Sequence, residues 1–316
     1  MLFNILLSLS LISPVAPANP VAPKAHEVIR SQDGGRTWTT ITSGLNTGSS
    51  TQAFWAQGRT FYLANGSGLY QGSQTIQTNW QKIPWMEDRV RDIFPGSRGL
   101  YFTGFWGGLY QQTKATGTMS TLHQSLPDKI IHTILETRSG QLLLGCETGI
   151  YRSVKRSGED WQKVLHSSRI HGLVEFKQTL LASNNHGLWR SVDDGAQWRK
   201  IDLGQSKASH LRVVPAGVFA ILTNFQTFKN NTLVFSPDEG TTWKLFGSPA
   251  DQALNGVYDF EQAGAALYVC SKGGIFRSDD QGKSWQRIVE PPADRRSYYN
   301  LVVDGTQLFV LTLEGC

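Results

Sequence analysis

The stretch Ser191-Val-Asp193-Asp-Gly195-Ala-Gln-Trp198 decides the fold of this chain, because its pattern, Ser-x-Asp-x-Gly-x-x-Trp, occurs four times. The Asp side chain can accept hydrogen bonds from the backbone of its own turn, and the Gly can take a positive φ without steric cost. The Trp can then anchor the hairpin by burying a large ring. The other copies are Ser31-Gln-Asp33-Gly-Gly35-Arg-Thr-Trp38, Ser236-Pro-Asp238-Glu-Gly240-Thr-Thr-Trp243 and Ser278-Asp-Asp280-Gln-Gly282-Lys-Ser-Trp285. Four copies predict a repeat architecture.

Degenerate copies extend the repeat to seven units. In most units a short strand with the pattern Gly-apolar-aromatic, often followed by Arg-Ser, precedes the turn. The seven strands are Val28-Ile-Arg-Ser31, Gly68-Leu-Tyr70, Gly108-Leu-Tyr110, Gly149-Ile-Tyr-Arg-Ser153, Gly187-Leu-Trp-Arg-Ser191, Leu233-Val-Phe-Ser236 and Gly274-Ile-Phe-Arg-Ser278. The Arg of these pairs is predicted to be structural, because it lies on third strands away from the axis.

Each unit is predicted to hold four short antiparallel strands, which in unit five are residues 172–176, 179–183, 187–191 and 198–201. Seven such units predict an all-β fold, a seven-bladed β-propeller with Asp-box turns. Residues 299–312 supply two strands of blade one, and residues 26–41 supply the other two. Blade one is thus closed by N- and C-terminal strands, which removes exposed sheet edges.

The first residues predict export. Residues 2–12 form a short apolar core, and Ala16-Pro-Ala18 offers small residues before a cleavage site,. We therefore expect a signal peptide over 1–18, a linker over 19–25 and a single propeller over 26–316. The apolar core is too short for a comfortable membrane span. The mature chain is expected to be secreted or periplasmic, without a transmembrane span.

The composition supports the same fold class and limits the partners. The chain of 316 residues has 32 Gly, 11% aromatic and 17% charged residues, which suits many tight turns. Its net charge of +5 comes without a Lys/Arg run, so nucleic acid is not an expected partner, whereas an anionic small molecule or glycan is,. The cysteines show no metal-binding spacing, and Cys146 and Cys270 are expected to be buried while the role of Cys316 stays open,.

One polar residue per blade is predicted to line the mouth of the central channel. Alignment of the seven innermost strands selects Gln52, Arg91, His132, His171, His210, Tyr258 and Tyr299. The three histidines are spaced by 39 residues each. A position needed only for packing would more often hold an aliphatic residue. The alternative is a set of satisfied polar groups that line a wet channel.

This ring could hold an anion and could also perform acid–base chemistry. Arg91 could bind a carboxylate, sulfate or phosphate through two hydrogen bonds. We assign His132, His171, His210, Tyr258 and Tyr299 as candidate catalytic residues, because imidazoles exchange protons near neutral pH and a phenol beside a cation can act as base or nucleophile. Three imidazoles could instead hold a transition metal. They come from three consecutive blades, however, which places them too far apart to share one ion, so neither metal nor cofactor is expected.

Loops at the same face add candidate ligand-binding residues. Trp106, Glu147 and His186 follow second strands of three blades, and Gln52 and Arg91 are assigned to ligand binding with them. Residues 85–89 and 294–296 precede Arg91 and Tyr298, respectively. Exposed aromatic rings beside Arg and carboxylates are typical of sugar sites. Each of these loop residues could equally be an ordinary surface residue.

The four motifs and their spacing resemble those of the Asp-box, or BNR-repeat, family of propellers over nearly all of the predicted mature chain. That family includes sialidases, other glycoside hydrolases, sorting receptors and photosystem assembly factors, so the resemblance implies the fold and not one activity. A retaining sialidase would need three Arg and a Phe/Tyr-Arg-Ile-Pro motif. Only Arg91 falls on the ring, and the motif is absent. Polysaccharide lyases on propellers use His, Tyr and Arg, which are residue types of this ring.

The sequence thus predicts an exported propeller that binds an acidic glycan or another carboxylate at its channel mouth. A glycan lyase or hydrolase is the enzymatic form of this hypothesis. The alternative is a noncatalytic propeller that binds a protein partner or assists assembly.

Overall fold

The structure, a computed structural model, describes residues 20–24, 26–46, 48–73, 78–84, 89–155, 158, 160–203, 206–224, 231–248, 251–294 and 297–314. Several predictions lie outside this part of the chain. They are the signal peptide and the loop residues Trp85, Glu87, Asp88, Arg295, Arg296 and Cys316.

The described chain forms 28 strands and one short 3-10 helix, Gln252–Leu254. The first strands are β1 (Val28–Ser31), β2 (Thr39–Thr40), β3 (Thr51–Gln57), β4 (Thr60–Asn65), β5 (Gly68–Ser73), β6 (Gln81–Lys82), β7 (Val90–Pro95), β8 (Gly99–Gly104), β9 (Leu109–Thr113) and β10 (Met119–Thr121). Next come β11 (Ile131–Glu136), β12 (Leu142–Cys146), β13 (Gly149–Ser153), β14 (Trp161–His166), β15 (Ile170–Phe176), β16 (Thr179–Asn184), β17 (Gly187–Ser191) and β18 (Arg199–Ile201). The last are β19 (Ser206–Val214), β20 (Gly217–Asn224), β21 (Thr232–Ser236), β22 (Lys244–Leu245), β23 (Asp259–Ala263), β24 (Ala266–Ser271), β25 (Gly274–Ser278), β26 (Gln286–Val289), β27 (Ser297–Asp304) and β28 (Gln307–Glu314).

These strands form seven four-stranded antiparallel sheets, which are the blades of a propeller. Blades two to seven each use four consecutive strands, whereas blade one has the order β2-β1-β28-β27. Strands β27, β3, β7, β11, β15, β19 and β23 contact one another in turn and surround the axis. The predicted all-β, seven-bladed fold and the closure of blade one by both terminal segments are confirmed.

Aromatic and aliphatic side chains fill the seams between blades. At the closing seam, the Phe309 ring of blade one lies 5.0 Å from that of Phe54 and 4.9 Å from that of Phe61, both in blade two. All three side chains are buried, with Trp80 beside them. Burial of such rings is the main source of stability in a fold with so little helix.

The Asp-box turns have the geometry that their residues suggest. In the first copy, Asp33 Oδ1 accepts hydrogen bonds from the N–H groups of Arg36 and Thr37 at 3.0 and 2.9 Å. Ser31 Oγ accepts from the Gly35 N–H at 2.7 Å, and Gly35 has a φ of 91°. The other three copies repeat the bond from Gly N–H to Ser Oγ. The side chains thus replace the backbone partners that a tight turn cannot provide.

An arginine on the third strand of three blades reaches the Asp-box turn of the next blade, and we call this contact the arginine clamp. The acceptor is always the carbonyl between the Asp and the Gly of the motif. The clamps are Arg152 Nε to Asp194 O at 3.0 Å, Arg190 Nε to Glu239 O at 2.9 Å and Arg277 Nη1 to Gly34 O at 2.6 Å.

The segment before blade one is more closely attached to the fold than the predicted linker over 19–25 implies. Val21 forms a parallel bridge with Val289 at the outer edge of blade seven. The Val21 N–H donates to Ile288 O at 3.3 Å, and Val21 O accepts from the Glu290 N–H at 2.8 Å. The described part of this segment therefore covers the edge of β26 instead of spanning solvent.

Candidate functional site

Five of the seven predicted ring residues occupy a β-bulge in an innermost strand. The ladder to the second strand skips one residue in each of these blades, and the skipped residues are Gln52, Arg91, His132, His171 and His210. A bulged residue has no direct partner in the ladder, and its side chain is redirected. Four of these side chains are half-buried and that of His210 is exposed, so none of the five is packed away in the core. We call Arg91, His132, His171 and His210, from blades three to six, the histidine arc.

Arg91 begins the arc and contacts the next blade directly. Its Nε donates to Asp92 Oδ2 at 2.8 Å. Its Nη2 donates to Ile131 O and lies 3.4 Å from His132 Nδ1. Nη1 has no hydrogen-bond partner among the described residues, so one N–H pair remains available to a ligand.

His132 is held by a carboxylate that a second arginine also binds. Its Nε2 lies 2.8 Å from Glu147 Oε2, and Arg169 Nε donates to the same oxygen at 2.9 Å. An ionised carboxylate only accepts hydrogen bonds, so Nε2 carries the proton and Nδ1 has the lone pair. Glu147 thus fixes both the tautomer and the orientation of the ring.

His171 is arranged in a similar way. Its Nε2 lies 3.2 Å from Asn185 Oδ1, and its ring centroid is 6.3 Å from that of His132. Donation from Nε2 to the amide oxygen again leaves Nδ1 as an acceptor. Two neighbouring blades therefore present two imidazoles that use Nδ1 as an acceptor, and in His132 this nitrogen already contacts Arg91 Nη2 at 3.4 Å.

The electrostatics keep both imidazoles neutral at neutral pH. Burial lowers the pKa of His132, and Arg91 and Arg169 lower it further, although the hydrogen bond to Glu147 opposes them. Burial also lowers the pKa of His171, with contributions from His132, Arg169 and Lys207 against the bond to Asn185. Hydrogen bonds from Arg169 and His132 lower the pKa of Glu147, so this carboxylate is ionised.

His210 lies beside a charged cluster at the seam of blades six and seven. It is exposed and has a φ of 47°, and its ring makes no hydrogen bond to the described residues. Surrounding protein lowers its pKa, against the nearby Asp259. Arg212 donates from Nε to Glu261 Oε1 at 2.8 Å, and its Nη2 lies 3.4 Å from Asp259 Oδ1.

The blade-six alignment needs a correction of one residue. Leu211 pairs with Ala220, as Leu173 pairs with Ala182 in blade five, so the bulge at His210 lies one position further into its strand. Arg212 therefore does not replace a core residue, because the buried Leu211 fills that place.

The structure separates the two tyrosines of the ring from the histidines. Tyr258 precedes β23, where its N–H donates to Cys270 O, and its ring packs against Tyr298. Tyr299 is only 1% exposed and lies in the core with Ile29, so it is not available to a ligand. The ladder of β27 has no bulge, and simple alternation turns Tyr299 inward and leaves Tyr298 41% exposed.

The remaining candidates lie at the edge of the arc. Gln52 donates to Ser50 Oγ at 3.2 Å in blade two. His186 is exposed in the turn between β16 and β17. Trp106 is 81% exposed and its ring centroid lies 5.6 Å from that of Phe105. None of the three contacts an imidazole of the arc in the described structure.

Sequence reasoning missed Asp92, Arg169 and Tyr298. A signal for Arg169 does exist, because it stands two residues before its ring residue, as Arg89 does before Arg91.

Within the described residues, no group of three or more His, Cys, Asp or Glu is placed to hold a metal ion. No helix in the same part of the chain is long and apolar enough to cross a membrane.

Comparison with known proteins identifies the fold but does not assign the chain to a family. No protein-family model matches the chain, and no curated protein does. YCF48 from Cyanidioschyzon merolae is 13% identical with a TM-score of 0.62, over 84% of this chain and 94% of that one. Virginiamycin B lyase from Staphylococcus aureus is also 13% identical with a TM-score of 0.62, over 85% and 97%. An ancestral GH74 enzyme is 15% identical with a TM-score of 0.59, over 88% of this chain but 44% of its own length.

The chain is a β-propeller. Its structural neighbours include enzymes as well as YCF48, and identities this low establish only the fold,.

Proposed function

We propose that the protein is an extracytoplasmic Asp-box propeller that binds a ligand bearing a carboxylate, such as an acidic glycan, at the histidine arc. The observation that carries the proposal is the placement of Arg91 and three imidazoles at bulges of four consecutive innermost strands. Burying polar groups in a channel is costly unless they find partners, and a ligand would supply them.

The available hydrogen-bonding groups of the arc favour an anion. Arg91 Nη1 can donate, and the imidazoles can donate once they are protonated. Lys207 and Arg169 add positive charge near His171. The carboxylates beside the arc, Asp92, Glu147, Asp259 and Glu261, are each already bound by an arginine. A ligand carboxylate would therefore meet cations that are only partly neutralised.

The enzymatic form of the proposal is a lyase or hydrolase of an acidic glycan. His171, oriented by Asn185, would use Nδ1 as the base, since its lowered pKa leaves that nitrogen unprotonated,. One structural neighbour is titled a catalytically inactive His-to-Ala variant of virginiamycin B lyase. A propeller of this kind can thus place a histidine in catalysis.

Titration with a panel of anionic oligosaccharides tests the binding proposal. We expect His171→Ala to weaken binding of the best member by at least about tenfold, because a hydrogen bond to a charged group contributes about 1.5–3 kcal/mol. An anion raises the pKa of the facing imidazoles, so affinity should increase as the pH falls from 7.5 to 5.5. The groups that face His171 are His132, Arg169, Lys207 and Asn185, together with His210 of blade six.

His166→Ala is the matched control, because this exposed imidazole lies on β14, the outermost strand of blade four. It should bind like the wild type. Equal affinity of the wild type and His171→Ala, or an affinity independent of pH, contradicts the proposal.

A protein partner is the second candidate function, favoured by an exposed apolar patch beside the arc. The patch consists of Phe105, Trp106 and Ile130, which are 48%, 81% and 46% exposed. Its loops pack together, since a Cβ on Gly107 would lie 2.6 Å from Lys129 O. Such aromatic clusters are common in protein interfaces. One neighbour is titled YCF48 bound to D1 peptide. Loss of a captured partner in Trp106→Ala, with retained glycan binding, would support this function.

A further inference from the structure

Each blade has an outermost strand that pairs with only one other strand of its sheet. Such edges can pair with another chain, and very short or charged edge strands make this pairing less favourable. Five of the outermost strands, β2, β6, β10, β18 and β22, have only two or three residues. The longer ones are β14, with six residues and Lys163 near its middle, and β26, whose four residues end in Ile288 and Val289. Strand β26 therefore needs another form of protection.

Residues 20–23, which we call the edge guard, cover β26. Val21 lies opposite Val289, donates its N–H to Ile288 O at 3.3 Å and accepts from the Glu290 N–H at 2.8 Å. The Val21 side chain is half-buried and packs against the core cluster that contains Ile288 and Val289. The guard therefore satisfies two backbone groups of the edge and adds an apolar contact to it.

The prolines of the edge guard end the sheet at this point. In a parallel bridge every second residue bonds to the covered strand, so Val21 faces β26 while the backbone groups of Pro20 and Ala22 face away from it. Pro20 has no N–H, so its outward side offers no donor to a further strand. Pro23 also lacks an N–H, at the position where the next bond to β26 would form. The guard thus covers one edge without creating an equivalent one.

A second copy of this chain is the partner that an uncovered β26 fits best. Two identical edge strands can pair antiparallel about a two-fold axis, because the donors of each copy then meet the acceptors of the other. Release of the guard would free Ile288 O and the Glu290 N–H, which Val21 occupies now. It would also expose apolar side chains of the strand end, and pairing between two copies would bury them again.

We propose that the edge guard prevents the protein from pairing with a second copy of itself through β26. The guard and the second strand compete for the same backbone groups of Ile288 and Glu290, so only one of them can be bound at a time. This inference concerns the rim of blade seven and does not depend on ligand binding at the histidine arc.

A substitution that releases the guard tests the proposal in the full chain. Val21→Asp places a charge against the apolar cluster, whereas Ala22→Asp, the matched control, adds the same charge to an exposed position. At high protein concentration, light scattering should give Val21→Asp about twice the molar mass of Ala22→Asp, and dilution should remove the difference. Val21→Pro, which loses the N–H donated to Ile288 O, should act in the same direction,.

Hydrogen exchange of the Glu290 amide identifies the surface that pairs. This amide should exchange faster in dilute Val21→Asp than in the control, and it should regain protection in the dimer. The proposal is overturned if both Val21 variants keep the molar mass of the control at every concentration, or if the Glu290 amide stays equally protected in dilute Val21→Asp. It is also overturned if a dimer forms while this amide still exchanges fast, because association would then use another surface.

Discussion

At the scale of single residues, the aspartates of the Asp-box turns combine structural importance with an unusual acidity. Asp280 Oδ1 accepts from Ser278 Oγ and from the Ser284 N–H, and Oδ2 accepts from Ser284 Oγ. The hydrogen bonds from Ser284 and Ser278 lower the pKa of Asp280 to about 2. The turn therefore depends on a carboxylate that stays ionised well into acid.

We predict that Asp280→Asn makes thermal stability less dependent on pH between about 4 and 2. The pKa of this carboxyl is lower in the folded state than in the unfolded state, where it is about 3.9. The ionised carboxylate therefore stabilises the fold fully above the unfolded pKa, and this stabilisation is lost as the pH falls toward the folded pKa. The melting temperatures of the variant and the wild type should therefore converge in acid, as measured at pH 7, 4 and 2.5. Asp160→Asn removes an exposed carboxylate beside Lys155 and serves as control. A constant difference across these pH values would contradict the prediction.

The ring residues show which parts of the candidate site can be predicted from a single sequence. The 39-residue spacing found His132 and His171, because both occupy the same bulge. Tyr299 was misplaced because the absence of a bulge in β27 depends on its pairing with β28 and leaves no local mark. The hydrogen bonds that Glu147 accepts from His132 and Arg169 were also out of reach, because they join a turn of blade four to the bulge of β11 and to the segment before β15.

At the scale of elements, the arginine clamp connects the third strand of three blades to the turn of the next blade. The sequence placed these arginines away from the axis and predicted a structural role for them. Their acceptors could not be predicted, because every residue has a backbone carbonyl and nothing in the sequence marks the ones that bind. The carbonyls of Asp194 and Glu239 are oriented by positive φ angles of 56° and 61°. The Asp box thus shapes its own hairpin and also presents an acceptor to its neighbour.

We predict that Arg190→Met lowers the free energy of unfolding by about 1.5–3 kcal/mol, the usual range for a hydrogen bond to a charged group. The variant loses the bond from Nε to Glu239 O but keeps much of the aliphatic stem,. Denaturant titration followed by tryptophan fluorescence measures the change. Arg199→Met, an exposed cation on the neighbouring β18, should stay within about 0.5 kcal/mol of the wild type,. Equal stability of both variants would show that the clamp contributes nothing.

At the scale of the whole molecule, the ring is closed by strands from the two ends of the described chain. Strand β1 pairs with β28 over Val28–Ser31, opposite residues 308–311. The fold could be predicted from sequence because this closure follows from counting strands. The side-chain packing of the closing seam could not be predicted, because it depends on which aromatic rings meet across it.

We predict that Phe309→Ala lowers the free energy of unfolding by about 3–5 kcal/mol, as large-to-small changes of buried aromatic residues do. The side chain is fully buried against Phe54 and Phe61, so its loss leaves a cavity in the closing seam. Calorimetry of the full chain measures the effect, with Leu245→Ala as the exposed control. A loss no larger than that of the control would mean that this seam does not determine global stability.

The junction of blades six and seven differs from its clamped counterparts, since Phe235 stands where they have arginine. The ion pairs of Arg212 with Asp259 and Glu261 join the same two blades beside the axis instead. A buried cluster that includes Phe219, Phe260 and Phe276, with Phe235 and Phe246 packed against it, also spans this junction. Apolar packing and ion pairs therefore join blades six and seven in place of the arginine clamp.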